Sequence, residues 1–110
     1  MNNEFAVEAL SALGHEHRLS VFRLLVQAGP EGLPAGAIAE ALGMPASSLS
    51  FHLAHLTRAA LVAQRRESRS LIYSANFDVM NALVGFLTEN CCGGRNCAPA
   101  AKTAQKRRRA

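Results

Sequence analysis

Three cysteines, Cys91, Cys92 and Cys97, lie within seven residues of one another, and the rest of the chain has none. Two are adjacent, and Gly93 and Gly94 follow them. Glycine lets a short segment turn back on itself, so three sulfurs can converge. A set of three soft donors suits a thiophilic ion or metalloid better than the closed four-ligand sphere of structural zinc. Asn90, Arg95 and Asn96, the nearest other side chains, are poor fourth ligands. A trivalent metalloid such as arsenite needs only three thiolates, its lone pair taking the remaining position. Other readings of the cluster stay open: incidental free thiols, a redox disulfide, or a zinc site completed by a histidine or a partner chain.

Other polar groups point to nucleic acid. Residues 45–53 read Pro-Ala-Ser-Ser-Leu-Ser-Phe-His-Leu. Leu49, Leu53 and Leu56 repeat at helical spacing, and Ser47, Ser48, Ser50, Phe51 and His52 are assigned to the opposite face. Short hydroxyl side chains at a helix start, beside free backbone N–H groups, can reach phosphates and base edges in a major groove. Arg65, Arg66 and Arg69 then crowd one polar turn against the single acid Glu67, as a phosphate-neutralising surface would. His15, His17, His52 and His55 form no i, i+4 pair with a carboxylate partner, so structural or DNA-facing roles are expected of them rather than ligation.

Net charge is a weaker guide. The +4 total arises at one end: residues 1–101 carry seven arginines and eight acids, whereas the last nine residues carry five Lys and Arg. The basic run Lys106-Arg107-Arg108-Arg109 reads as a solvated, disordered end. No signal-like start and no apolar stretch of about 20 residues occurs, so a cytoplasmic protein with reduced thiols and no membrane partner is expected. Neither a paired acid–base set, a phosphate loop nor a nucleophile elbow is present, and no enzyme is expected.

These groups need a scaffold, and the apolar pattern supplies it. With 110 residues, 49% of them apolar, the chain suffices for one small core. Helices are predicted over 3–13 (Ala6, Leu10 and Leu13 inward), 15–28 (Leu19, Phe22, Leu25 and Val26 inward), 34–42 and 45–60. Gly29-Pro30-Glu31-Gly32 and Gly43 interrupt them. The period then changes to that of strands at 61–66 and 71–75, a hairpin around the arginine-rich turn. A last helix over 77–88 is apolar on two faces, with Met80, Leu83, Val84 and Leu87 on one and Val79, Ala82 and Phe86 on another. One small core cannot cover both, so a homodimer is expected. The parts make a mainly α winged helix-turn-helix of about five helices plus a two-stranded wing. The expected division is a DNA-binding and dimerisation domain over 1–90, a thiol segment over 91–97 and a disordered basic tail over 98–110.

Over about residues 5–92 the chain resembles the arsenical-resistance repressors of the ArsR/SmtB type. The resemblance rests on His15-Glu16-His17-Arg18-Leu19, on Gly43 to Leu53 with its Ser50, His52 and Leu53, on Arg66-Glu67-Ser68-Arg69 leading to Tyr73, and on Phe86 to Gly94. It implies a homodimeric repressor bound to double-stranded operator DNA and released when Cys91, Cys92 and Cys97 take As(III), with Sb(III) a second candidate inducer and no enzymatic cofactor. Two sensor sites of that family are missing: residues 34–42 contain no cysteine, and residues 77–88 contain no histidine. Ser68 stands where the wing commonly has glycine, and Pro45 where a serine cap is common. Two competing classes remain at this point. One is a winged-helix regulator that senses oxidants by disulfide formation. The other is a thiol metal-trafficking module with no operator.

Overall fold

The computed structural model describes residues 1–94, folded as a winged helix-turn-helix. Cys97 and the segment 98–110, expected to be a disordered tail, lie outside the described residues. The described residues form five α-helices, α1 (Asn3–Leu13), α2 (Glu16–Ala28), α3 (Ala35–Leu42), α4 (Ala46–Arg58) and α5 (Phe77–Leu87), and strands β1 (Leu33–Pro34), β2 (Val62–Glu67) and β3 (Ser70–Ala75).

Local chemistry sets the boundaries. Asn2 caps α1 by accepting from the Phe5 N–H (2.8 Å), and Asn76 caps α5 by accepting from the Val79 N–H (3.2 Å). Gly43 ends α3 in the left-handed conformation, φ 62°. Pro45 occupies the N-cap position of α4 and supplies no side-chain cap.

The core is aliphatic. Val21, Phe22 and Leu25 of α2, Ile38 of α3, Leu49, Leu53 and Leu56 of α4, and Leu61 and Val62 at the start of the hairpin are all buried. The helix α1 enters through its small residues. Ala6, Ala9 and Ala12 are buried, while Leu10, expected inward, is 42% exposed. Alanine permits close helix approach, so the larger residues turn outward. Leu19 is likewise exposed, and Val21 takes the inward place on α2. On α5, Leu83 is buried, Val79, Met80 and Phe86 pack against the core, and Val84 and Leu87 point to solvent.

The wing has one strand more than the sequence pattern indicated. The sheet order is β1-β3-β2, all antiparallel, with Leu33 opposite Tyr73 and Val62 opposite Ala75. β1 is two residues long and carries no periodic signal. Its place depends on Gly32, which has φ 71° and whose added Cβ would run into the Tyr73 carbonyl oxygen. At the hairpin tip Glu67 pairs with Ser70, and Ser68 adopts φ 56°. The turn is therefore made with a serine in a conformation that favours glycine.

Gly32→Ala combines a left-handed φ with a backbone collision. It should destabilise the fold by about 1–3 kcal/mol. For a domain of this size that is a fall in Tm of at least roughly 4 °C. An unchanged melting curve would show that β1 pairing contributes nothing.

Candidate nucleic-acid interface

The exposed face of α4 is defined by what its other face buries. Successive helical residues turn by about 100°. Leu49, Leu53 and Leu56 point into the core, which places Ser47 and Phe51 opposite them. Ser47, Ser48, Ser50 and Phe51 are all exposed, Phe51 at 64%. Ser50 lines a cleft of about 350 Å³ between α4 and the sheet, together with Thr57, Arg58, Gln64 and Tyr73.

His52 departs from its expected place. It is buried, at 7% exposure, rather than on the outer face. The geometry explains this, because His52 is only about 60° from Leu49 around the helix. Its ring meets those of His15 (centroids 5.0 Å apart) and His17 (5.8 Å), which are themselves 5.6 Å apart. His15 is the N-cap of α2, and its Nδ1 accepts the His17 N–H (3.2 Å). Arg18 donates from Nε to the Ala12 carbonyl (2.7 Å), tying the start of α2 to the end of α1. The imidazoles thus lie at the junction of α2 with α4. Sequence reasoning placed these histidines on separate elements and missed the cluster; only the fold brings residues 15–17 against residue 52.

No group of three or more His, Cys, Asp or Glu among the described residues is arranged to hold a metal ion. The histidine cluster is a packing feature with an electrostatic consequence. The Nδ1 atoms of His52 and His55 are buried with no hydrogen-bond partner among the described residues. Burial, followed by the positive potential of His15, Arg18, His17 and His55, lowers the pKa of His52 below the ordinary 6.5. His55 is lowered by burial, then by Arg18, Arg58 and His15.

The three wing arginines divide into two kinds. Arg65 is engaged: it pairs with Glu67 (Nη2–Oε2 3.1 Å) and donates from Nη2 to the Glu31 carbonyl (2.9 Å), fastening β2 to the turn before β1. Arg66 and Arg69 are exposed, and their side chains make no hydrogen bond or ion pair among the described residues. They are the cations the wing can offer to a polyanion.

Beyond α5 the chain makes a short turn, Cys91–Gly94, in which Cys92 and Gly93 have positive φ. The Cys91 N–H donates to the Thr88 carbonyl (2.9 Å). Cys91 is an exposed free thiol, and its Sγ is 3.6 Å from that of Cys92. Cys92 is disulfide-bonded.

Comparison with known proteins agrees with the winged helix-turn-helix fold. A family profile described as a helix-turn-helix domain matches residues 13–65. The nodulation protein NolR of Rhizobium meliloti is 34% identical over 86 residues, which span 78% of this chain and 68% of NolR. The structure of reduced HlyU from Vibrio cholerae superposes with a TM-score of 0.65 at 31% identity, covering 83% of this chain and 93% of that one. A homodimeric winged helix-turn-helix domain from Mycobacterium bovis, described as a possible ArsR-family transcriptional regulator, superposes at 0.64 with 28% identity, covering 84% and 86%.

The lowered histidines fix a sign for pH dependence. Below about pH 6.5 the unfolded chain takes up protons on His52 and His55 that the folded chain resists. Stability is therefore fully present above that pH and falls as the pH drops through it. The urea midpoint should be lower at pH 5.5 than at 7.5, and His52→Leu should flatten that slope. A midpoint that holds or rises on acidification would contradict the packing described for His52.

Proposed function

The chain belongs to the ArsR-type winged helix-turn-helix transcriptional regulators, and we propose that it is a homodimeric repressor that leaves operator DNA when Cys91, Cys92 and Cys97 bind As(III). The observation that carries the DNA-reading half is the outer face of α4. It presents Ser47, Ser48, Ser50 and Phe51, directly opposite a fully buried leucine seam, beside a wing whose Arg66 and Arg69 are uncommitted. In this reading α4 enters the major groove and the wing arginines meet flanking phosphates. Arg65 holds the wing in shape, and His52 supports α4 from within.

A second copy of the chain is the natural cover for the outward apolar residues. Val7 and Leu10 of α1 and Val84 and Leu87 of α5 are exposed, and an apolar groove of about 500 Å³ runs between α2 and α5 past Leu19, Phe22, Met80 and Val84. The related domain from Mycobacterium bovis is homodimeric. Two α4 helices on a two-fold axis read half-sites at fixed separation, so small shifts at α5 alter DNA affinity steeply.

The thiols lie where such a shift could start. Cys91 follows the end of α5 by four residues, and its sulfur is 3.6 Å from that of Cys92. Metal–sulfur bonds of about 2.3 Å bridge sulfurs up to roughly 4.6 Å apart, so one ion can touch both. Cys97 would be the third donor. Sb(III), with the same trivalent preference for thiolates, is the second candidate inducer. Coupling of about 1–3 kcal/mol between ligand and DNA is typical of such linkage, and it must be reciprocal.

The disulfide at Cys92 supports a second reading, in which the regulator responds to oxidants. Two thiols would give two electrons and two protons to a two-electron oxidant such as a peroxide, forming one S–S bond. The relative HlyU is described in a reduced form. The two readings compete for the same sulfur, since Cys92 must be reduced before it can ligate a metalloid.

Titration of a fluorescent duplex from the chain's own promoter separates them. Under reducing conditions arsenite should release wild-type protein, and Cys91→Ser or Cys92→Ser should still bind DNA but no longer respond. Cys97→Ser should be milder, because a vicinal pair and a small thiol can complete the sphere. If the triple Cys→Ser protein is released like wild type, the thiols are not the sensor; release by peroxide alone, with arsenite inert, selects the second reading. Arg69→Ala should weaken all duplexes alike and reduce the salt slope by about one unit per protomer. Leu87→Lys should give a folded monomer in sedimentation, because it places a charge in the proposed interface.

A further inference from the structure

One side chain on the outer face of α4 cannot take part in the contacts its neighbours make. Phe51 is 64% exposed and carries no hydrogen-bonding group. It cannot bind a phosphate, and it cannot pair with the nitrogen and oxygen atoms that distinguish most base edges. Single exposed apolar residues are ordinary on protein surfaces. Phe51 differs in position and in support. It lies directly opposite the buried seam of Leu49, Leu53 and Leu56, one turn beyond Ser47 and Ser48 on the same face. Its ring is braced edge-on by His52, with centroids 5.7 Å apart and planes at 67°, and by His55, at 6.3 Å and 88°. His52 is itself buried, so the brace is anchored in the core.

An aromatic ring held at the centre of a reading face needs an apolar partner in the groove. The major-groove edges of the four bases present one, the C5-methyl group of thymine. We propose that Phe51 is a specificity-determining residue that packs against a thymine methyl in each half-site, with Ser47 and Ser48 making the polar contacts beside it. The inference rests on α4 being the reading helix. It gives that helix a preference for thymine over cytosine at one position, and for thymine over uracil, which differs only by the methyl.

Uracil substitution tests the methyl alone. A duplex is first selected by wild-type protein from a random pool, and each thymine is then replaced singly by deoxyuridine. Burying one methyl-sized group is worth about fourfold in affinity, so wild-type binding should weaken about fourfold at one thymine position per half-site, and about fifteenfold when both half-sites are changed. Phe51→Ala, at an exposed position that leaves the core intact, should bind the thymine and uracil duplexes equally. Phe51→Leu should keep part of the discrimination. Matched melting curves exclude a folding effect. If wild type selects a duplex but tolerates uracil at every position, or if Phe51→Ala discriminates as wild type does, the thymine assignment is wrong although α4 can still be the reader. If no duplex is bound above bulk DNA, the reading of α4 fails and this proposal with it.

Discussion

The complete burial of three leucines on one helix governs the arrangement of the whole molecule. Leu49, Leu53 and Leu56 are at most 2% exposed, and each contributes about 1.5–3 kcal/mol through burial. Their sum is comparable with the total stability of about 5–15 kcal/mol expected of a small domain. Rotating α4 to present another face would therefore unfold the protein. The orientation of Ser47, Ser48, Ser50 and Phe51 is fixed as a consequence. The wing is fixed similarly from its base: Leu61 and Val62 are buried, Gly32 lets β1 lie against β3, and Arg65 ties β2 to the Glu31 carbonyl.

Much of this was legible in the residue pattern. The helices and the hairpin fall within a few residues of their expected bounds, because leucine at i, i+4 and i+7 and the short apolar starts of 61–66 and 71–75 on either side of an arginine-rich turn are strong local signals. The inward residues of α1 were legible in part: Ala6 is buried and Leu13 packs against the core as expected, but Leu10 does not. The pattern favoured Leu10, whereas the fold buries Ala9 and Ala12, because small residues allow close packing and leave Leu10 for another surface. The strand β1 was invisible for a different reason: two residues have no period, and their pairing is decided by a glycine and by a partner 40 residues away. His52 was assigned outward because polar residues crowd that half of α4. Its angle relative to Leu49 and the chance to pack with His15 and His17 placed it inside. Tertiary contacts of this kind have no local signature.

The candidate sites differ in how far they are built. The exposed face of α4 lies within one protomer, and beside it the side chains of Arg66 and Arg69 make no ion pair among the described residues. The sulfur end joins α5 through a single turn, and its chemistry can run toward ligation or oxidation at the same Cys92 atom. Both routes, as proposed, would act at the end of the helix whose Val84 and Leu87 are exposed in a single chain. In the proposed function, sensing and dimer geometry share this one element, and DNA reading would depend on where it holds the second copy.

Backbone amide hydrogen exchange, with and without a duplex from the chain's own promoter, tests the central claim most directly. Bound DNA should slow exchange in residues 46–52 and in the hairpin tip at residues 66–69, with the sheet base and α3 unchanged. Protection confined to α1 and α5, with the start of α4 exchanging as in the free protein, would contradict it.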